Sequence, residues 1–285
     1  MRQRKQSFNK KSTPWKTGKF LFGSLRQAVF FLLASFLLAG CATKPWTEPL
    51  AEPEAGSVAQ LVDSLVARDA GCGQTLEGDL VLFYQNPLDK KALSGFLQFS
   101  LPSSYKFVMA NPFGQPVLVV AGDQNSFQAI STLEKKYLAG SLRSFGLHKD
   151  IPSYILKGDW AAWLTGRNRR PSQSITDIRN DRQSRGVWLT FQSTDQTGID
   201  HLLLDRDREV FVDRIVENDH GRQVAEIRYG NWLTVGECRQ PLEINITGLD
   251  YGTEIRIELS NVLLSDGQKT YRLQPPPGYA RQFMP

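Results

Sequence analysis

Two hydrophobic periods alternate along this chain. From position 80 onward, short runs rich in Val, Leu and Phe are separated by turn residues. These are Leu80–Tyr84, Gly95–Leu101, Tyr105–Ala110, Val117–Ala121 and Phe127–Ser131, broken by Asn-Pro, Pro-Ser-Ser, Asn-Pro-Phe-Gly and Gly-Asp-Gln-Asn. Runs of this length, bounded this way, predict strands joined by tight turns. Within the second run, alternation puts Leu97, Phe99 and Leu101 on one face and Gln98 and Ser100 on the other, as the two-residue repeat of a strand requires. The pattern resumes over Val187–Gln192, His201–Leu204, Val210–Glu217, Gln223–Tyr229, Leu242–Thr247 and Thr253–Val262. Hairpin turns are expected at Asp205-Arg206-Asp207-Arg208 and Asn218-Asp219-His220-Gly221.

The other period is helical. Val58, Leu61, Val62, Leu65 and Val66 follow Ser57, a candidate cap, and lie on one helical face. A second helix is predicted from Pro152 through Leu156, Trp160, Trp163 and Leu164, ended by Gly166. Arg167–Arg185 is polar and charged and reads as a surface loop, in which Arg167, Arg169 and Arg170 are either solvated or touch phosphate headgroups. Pro275-Pro276-Pro277-Gly278 ends regular structure and leaves a short tail. The fold class expected is mainly β (α+β): one antiparallel sheet over residues 57–285, with two helices inserted or flanking.

The first forty residues follow neither pattern. Arg2, Arg4, Lys5, Lys10, Lys11, Lys16, Lys19 and Arg26, with no acidic residue, precede the apolar run Ala28–Leu38 and then Leu38-Ala39-Gly40-Cys41. That order is the order of a lipoprotein signal peptide, cleaved before a cysteine whose thiol takes a diacylglycerol. Residues 1–40 are therefore expected to be removed, Cys41 to be acylated, and residues 41–56, with three prolines, to be a flexible tether. Ala42 stands where Asp would commonly mark inner-membrane retention, so the outer membrane is the expected location. The leader also carries the charge. Of 34 Lys and Arg, eight lie in it, leaving 26 against 29 Asp and Glu, so the basic balance gives no reason to expect a nucleic-acid partner. Cys72 and Cys238 form a disulfide or stay as two buried thiols; sequence leaves both open.

Chemistry is sparse. No Gly-x-Ser-x-Gly elbow, Walker loop or His-Glu-x-x-His pair is present. His148, His201 and His220 are scattered beside turns and strand ends, and their spacing fits no metal template. Asp205, Asp207 and Glu209 alternate, but Arg206 and Arg208 neutralise them, and a hairpin accounts for them. No catalytic residue, metal or cofactor is expected. The surplus is apolar: Leu97, Phe99, Leu101, Phe107, Met109, Phe127, Leu189 and Phe191, with Trp160 and Trp163 on the helix. Either these form an ordinary core covered by the helices, or a bent sheet leaves an acyl-sized hollow among them.

Three segments resemble a known family. Val108-Met109-Ala110-Asn111-Pro112-Phe113-Gly114 looks like a strand ending in Asn-Pro-Leu-Gly. Ile151-Pro152 through Trp160, Trp163, Leu164 and Gly166 looks like a Pro-led helix ending Trp-x-x-Gly. Asp213-Arg214-Ile215-Val216-Glu217-Asn218 through Tyr229, then Gln240-Pro241-Leu242-Glu243-Ile244, is similar to a late strand pair. The family is that of the outer-membrane lipoprotein receptor LolB, within the wider LolA-like periplasmic carriers. The resemblance implies an incomplete antiparallel β-barrel plugged by helices, with an apolar interior that receives acyl groups of other lipoproteins. It also implies an exposed apolar residue in the Asn-Pro-Leu-Gly turn that contacts the membrane; here that position is Phe113.

The function expected is that of an outer-membrane-anchored monomer. It would bind lipoprotein acyl chains handed over by a periplasmic carrier and help insert them into the outer membrane. The alternative is a structural or assembly lipoprotein that uses the same fold as a docking scaffold, with an enzyme third.

Overall fold

The computed structural model describes residues 44–149, 158–192, 198–249 and 252–284, and of 146–149 the backbone alone. The chain divides into Met1–Lys44 and Pro45–Pro285, and the second unit is described below. Cys41 and the predicted Pro152 entry to the second helix lie outside the described residues.

Alternation over most of the second unit is realised as one sheet. Its strands are β1 (Trp46–Pro49), β2 (Thr75–Gln85), β3 (Lys90–Ser100), β4 (Ser104–Ala110), β5 (Pro116–Gly122), β6 (Ser126–Ser131), β7 (Lys136–Ser141), β8 (Ile175–Asp181), β9 (Val187–Gln192), β10 (Gly198–Asp205), β11 (Val210–Asn218), β12 (Gln223–Val235), β13 (Cys238–Leu249), β14 (Thr253–Ser265) and β15 (Ala280–Met284). They lie in the order β1-β8-β9-β10-β11-β12-β13-β14-β2-β3-β4-β5-β6-β7-β15. Neighbours are antiparallel except β15, which runs parallel to β7. β1 and β15 do not meet, so the sheet stays open, and the expected mainly-β incomplete barrel is what the chain forms.

The helices α1 (Glu52–Ala70), α2 (Leu142–Lys149) and α3 (Trp160–Thr165) supply what the sheet lacks. One face of the sheet is apolar nearly from end to end, and a sheet must bury such a face. Through the register, Leu189 lies opposite Leu202, Ile227 opposite Ile246, Ile257 opposite Leu82, and Leu97 opposite Phe107. Direct partners share a face, and this inner face takes α1 at one end and α3 further along. Val58, Val62 and Leu65 of α1 pack on Val187, Leu189, Phe191, Leu202, Leu204 and Phe211. Ala161, Ala162, Trp163 and Leu164 of α3 pack on β2, β3 and β12–β14. Cys72, just past α1, is bonded to Cys238 at the start of β13, with Cα atoms 5.6 Å apart.

Several expectations change. Residues 41–56 are not all tether, because β1 pairs with β8 and Trp46 lies against Trp188 and His201, with ring centroids 5.5 and 4.4 Å away. Helix α1 starts at Glu52 with Pro in its first turn, before Ser57, a position where the missing N–H of proline costs nothing. The charged stretch 167–185 is not a surface loop. Arg167 and Asn168 are buried, and Ile175–Asp181 is strand β8. His201 is buried beside Glu217, its Nε2 3.4 Å from the carboxylate, whereas a surface strand end was expected. The tail after the prolines returns as β15.

Candidate functional site

The apolar inner face is not one hollow but two compartments. Arg214 and Asp200 belong to that face, opposite Leu202 and Phe191 respectively. Asp200 forms an ion pair with Arg170, whose guanidinium sits 5.1 Å over the Phe191 ring. Arg214 is only 1 % exposed; its Nη2 donates to the Arg167 carbonyl at 3.4 Å, while its Nε and Nη1 have no hydrogen-bond partner. Burial opposes the charge on Arg214, but Tyr229, Asp200 and Asp159 outweigh it and raise its pKa. A buried charge needs such company. This polar belt separates the residues under α1 from those under α3.

Eight of the ten expected cavity residues belong to the α3 side. Leu97, Phe99, Leu101 and Trp163 are buried in its core, with Phe107 and Trp160 packed partly buried against it. Met109 faces the same way opposite Leu118, and Phe127 lies opposite Gly122 with its ring 4.8 Å from Phe145. Leu189 and Phe191 belong instead to the α1 compartment. The belt that separates them left no mark in the sequence, because Arg170, Asp200 and Arg214 are far apart along the chain.

Exposure on the α3 side changes both along and across the strands. On β2 and β3 the inward residues Leu76, Leu80, Leu97 and Phe99 are fully covered while Leu82 and Leu93, nearer the β2–β3 turn, are half-buried, and on β4 and β5 Phe107, Met109, Leu118 and Val120 are all only half-buried. The result is a trough, closed at the α3 end and open toward β4 and β5. The closure is a short helix held at both ends. Asp159 caps it by accepting from the Ala162 N–H at 3.0 Å, and Gly166 ends it in the left-handed region at φ 65°. From the sheet, Gln240 Nε2 donates to the Leu164 carbonyl at 2.9 Å, and the Tyr229 hydroxyl donates to that of Ala162 at 3.4 Å. Burial pushes the Tyr229 hydroxyl up to about 12, so it keeps its proton and donates.

Two further grooves lie elsewhere. One of about 780 Å³ is lined by Asp207, Arg208, Glu209, Val210, Asn231, Trp232 and Arg239. The other, of about 350 Å³, is bordered by Phe83, Asn245, Ile255 and Arg256 among others. Neither involves the expected acyl-cavity residues. Among the described residues, no group of His, Cys, Asp and Glu is arranged to hold a metal ion, and no helix is long and apolar enough to cross a membrane. Phe113, at the tip of the β4–β5 turn, is 87 % exposed.

No protein-family model matches the chain, and no curated protein matches it. Solved structures do. A putative outer membrane lipoprotein-sorting protein domain from Vibrio parahaemolyticus superposes with a TM-score of 0.51 at 10 % identity, over 75 % of this chain and 95 % of that one. A DUF1329 family protein from Desulfovibrio piger gives 0.52 at 10 % identity, over 78 % and 96 %. A LolA superfamily protein from Nitrosomonas europaea gives 0.45 at 12 % identity, over 74 % and 94 %. The chain shares the fold of the first two. At such identity the likeness is one of fold alone.

Proposed function

We propose that this chain is a lipid-anchored outer-membrane protein of the LolB type, which takes up acyl chains of other lipoproteins in the β3–β5 trough and passes them to the outer membrane. The observation that carries the reading is the half-exposed apolar mouth formed by Phe107, Met109, Leu118 and Val120, continuous with the closed core under α3. Apolar surface left open in a concave position is suited to acyl chains. Burying it contributes roughly 25 cal/mol per Å² without a cofactor or a reaction. Acylation at Cys41, delivery by a periplasmic carrier and placement in the outer membrane belong to the same proposal.

A fluorescent long-chain fatty acid tests the mouth. Phe107→Glu places a charge in it, at a half-buried position where the sheet can keep its fold, and should weaken probe binding at least about tenfold, the cost of desolvating a charge beside an alkyl chain. Leu189→Ala, behind the polar belt, should lower stability but leave probe binding within about twofold. Equal binding by wild type and Phe107→Glu would sink the trough as an acyl site. A second reading has its own observation: Trp163, 4 % exposed, fills the α3 end with protein, as in a docking scaffold. Mass spectrometry of gently purified protein separates the two, because a carrier brings lipid or lipopeptide with it and a scaffold does not.

A further inference from the structure

Phe113 is not alone. Leu88 in the β2–β3 turn is 96 % exposed and Leu133 in the β6–β7 turn is 79 % exposed. Strands β2 to β7 form a meander, so every second turn falls on the same rim of the sheet, and these are three successive turns of one rim. Among the described residues the other large exposed hydrophobics, Val235, Leu263 and Phe283, belong to none of them.

The register staggers the tips in one direction. The last pair of the β2–β3 hairpin is Gln85↔Lys90, four residues beyond Ser94, which lies opposite Ala110. The last pair of the β4–β5 hairpin is Ala110↔Pro116, and that of β6–β7, Ser131↔Lys136, lies two residues short of it, at Leu118. The step is thus six residues, about 20 Å, across four strand spacings, about 19 Å, a slant of about 45°. Strands in a barrel tilt by about 35–45° to its axis, and a tilt of that size in the matching sense offsets a stagger of this size along the rim.

Each tip is also prepared to leave water. Asn86 Oδ1 accepts from the N–H groups of Leu88 and Asp89, and Asn111 Oδ1 accepts from those of Phe113 and Gln115. At the third turn Ser131 Oγ accepts from the Glu134 N–H, and Thr132 Oγ1 donates to the Pro116 carbonyl, tying that turn to the second hairpin. Turn donors already bonded cost less to bring into an apolar layer. Behind the tips stand Lys90, Lys91, Lys135 and Lys136 against Asp89 and Glu134, a surplus of two positive charges. Asp89 pairs with Lys91 at 2.6 Å and Glu134 with Lys136 at 2.8 Å.

We propose that Leu88, Phe113 and Leu133 form a three-pronged contact with an anionic phospholipid surface, each prong entering the interfacial layer while the lysines meet headgroup phosphates. This rests on the reading of the chain as an outer-membrane-anchored protein and extends to two further turns the membrane contact that the resemblance implies at Phe113; it does not rest on the trough. A bilayer is favoured over a protein because the prongs are single side chains spaced along a rim. A protein interface needs a continuous packed patch, whereas an interfacial layer accepts separate apolar anchors beside cationic groups. The contact has an end, since the Asn218–Arg222 turn on the same rim is polar, with His220 exposed.

Strand β1 begins beside Asp181 on the opposite rim, so the experiment must ask which bilayer the prongs reach. The full chain is reconstituted in phosphatidylethanolamine–phosphatidylglycerol vesicles as Leu88→Cys, Phe113→Cys, Leu133→Cys or, for comparison, His220→Cys, each labelled with an environment-sensitive fluorophore. Brominated lipid is placed either in the host vesicles or in vesicles added afterwards. In one arm or the other, all three prong labels should be quenched about twofold while the His220 label is unchanged, the pattern of shallow insertion. Quenching no greater than at His220 in both arms overturns the proposal, and so does a response from Phe113 alone. The fatty-acid assay on the same labelled chains reads the trough separately.

Discussion

Asp213 carries the clearest pH signature at the level of single residues. It lies on the outer face of β11, with Arg185 Nη1 2.9 Å from one carboxylate oxygen and Arg228 Nε 3.7 Å from the other. Burial raises its pKa from 3.8 to about 6; Arg185 and Arg228 pull it down, and Glu226 adds to the rise. Asp181, which shares Arg185, ends up lowered, because hydrogen bonds from Arg185 and Trp188 outweigh its burial. Between about pH 4 and pH 6 the folded chain therefore holds a proton on Asp213 that the unfolded chain has released. The stability this contributes is complete below the unfolded pKa and is lost as pH rises through about 6. Asp213→Asn keeps an oxygen acceptor for Arg185 and removes the titration. In urea unfolding from pH 4 to 8, the wild type should lose stability relative to this variant by up to about 1.4 kcal/mol per pH unit across that window. Parallel pH curves for the two proteins would refute the assignment.

At the scale of elements, α3 is the piece whose local chemistry controls the trough. Its terminal glycine, Gly166, takes φ 65°, and a Cβ there would come within 2.8 Å of the Trp232 ring. Gly166→Ala should cost about 1–3 kcal/mol through left-handed strain and crowding. The loss should be local, with amide exchange accelerated at Ala162 and Gly166 and little changed in β9–β11; uniform acceleration would mean that α3 is no separate plug. The sequence shows the end of this plug, since Trp160, Trp163 and Leu164 fall at helical spacing before the Gly166 stop, but not its start: the helix expected to run on through Gly158 begins only at Trp160, because Asp159 caps it there. It shows the central strands well too, because Leu97, Phe99 and Ile227 alternate with polar neighbours in strands whose two faces meet different surroundings. It fails at the edges. β1 and β15 have only four and five residues, with Trp46 and Thr47 of β1 partly buried and all of β15 but Met284 exposed, and an edge strand so short carries no readable alternation. β8 is hidden for a related reason: Asp177, Arg179 and Asp181 pair with arginines and the β1 backbone on its outer face, so a strand reads as a charged loop. The polar belt is illegible because it is assembled from β10, β11 and the stretch after α3. So are the prongs at Leu88 and Leu133, whose meaning depends on the register of six strands.

Over the whole molecule, the open sheet has no closing seam, and what ties its parts together is placed accordingly. A closed barrel would join its first and last strands through a ladder of backbone hydrogen bonds; here β1 and β15 are both edges. The Cys72–Cys238 bond spans 166 residues of sequence and joins the end of α1, the helix of one compartment, to β13, a strand of the other. Linking positions so far apart removes much of the freedom of the unfolded chain, about 5 kcal/mol by loop-closure entropy and typically about 2–5 kcal/mol when a native bond of this kind is removed. Cys72→Ala with Cys238→Ala should thus lower the urea midpoint markedly. It should also uncouple the compartments, because α1 would keep its contacts with β9–β11 while losing its tether to the sheet that holds α3. Amide exchange in that double variant should quicken in α1 and β8–β11 more than in β2–β5. A drop of less than about 1 kcal/mol, or equal acceleration in both compartments, would mean that packing across the Arg214–Asp200 belt already unites them, and that the belt is a mere seam in one core and not a boundary between two compartments.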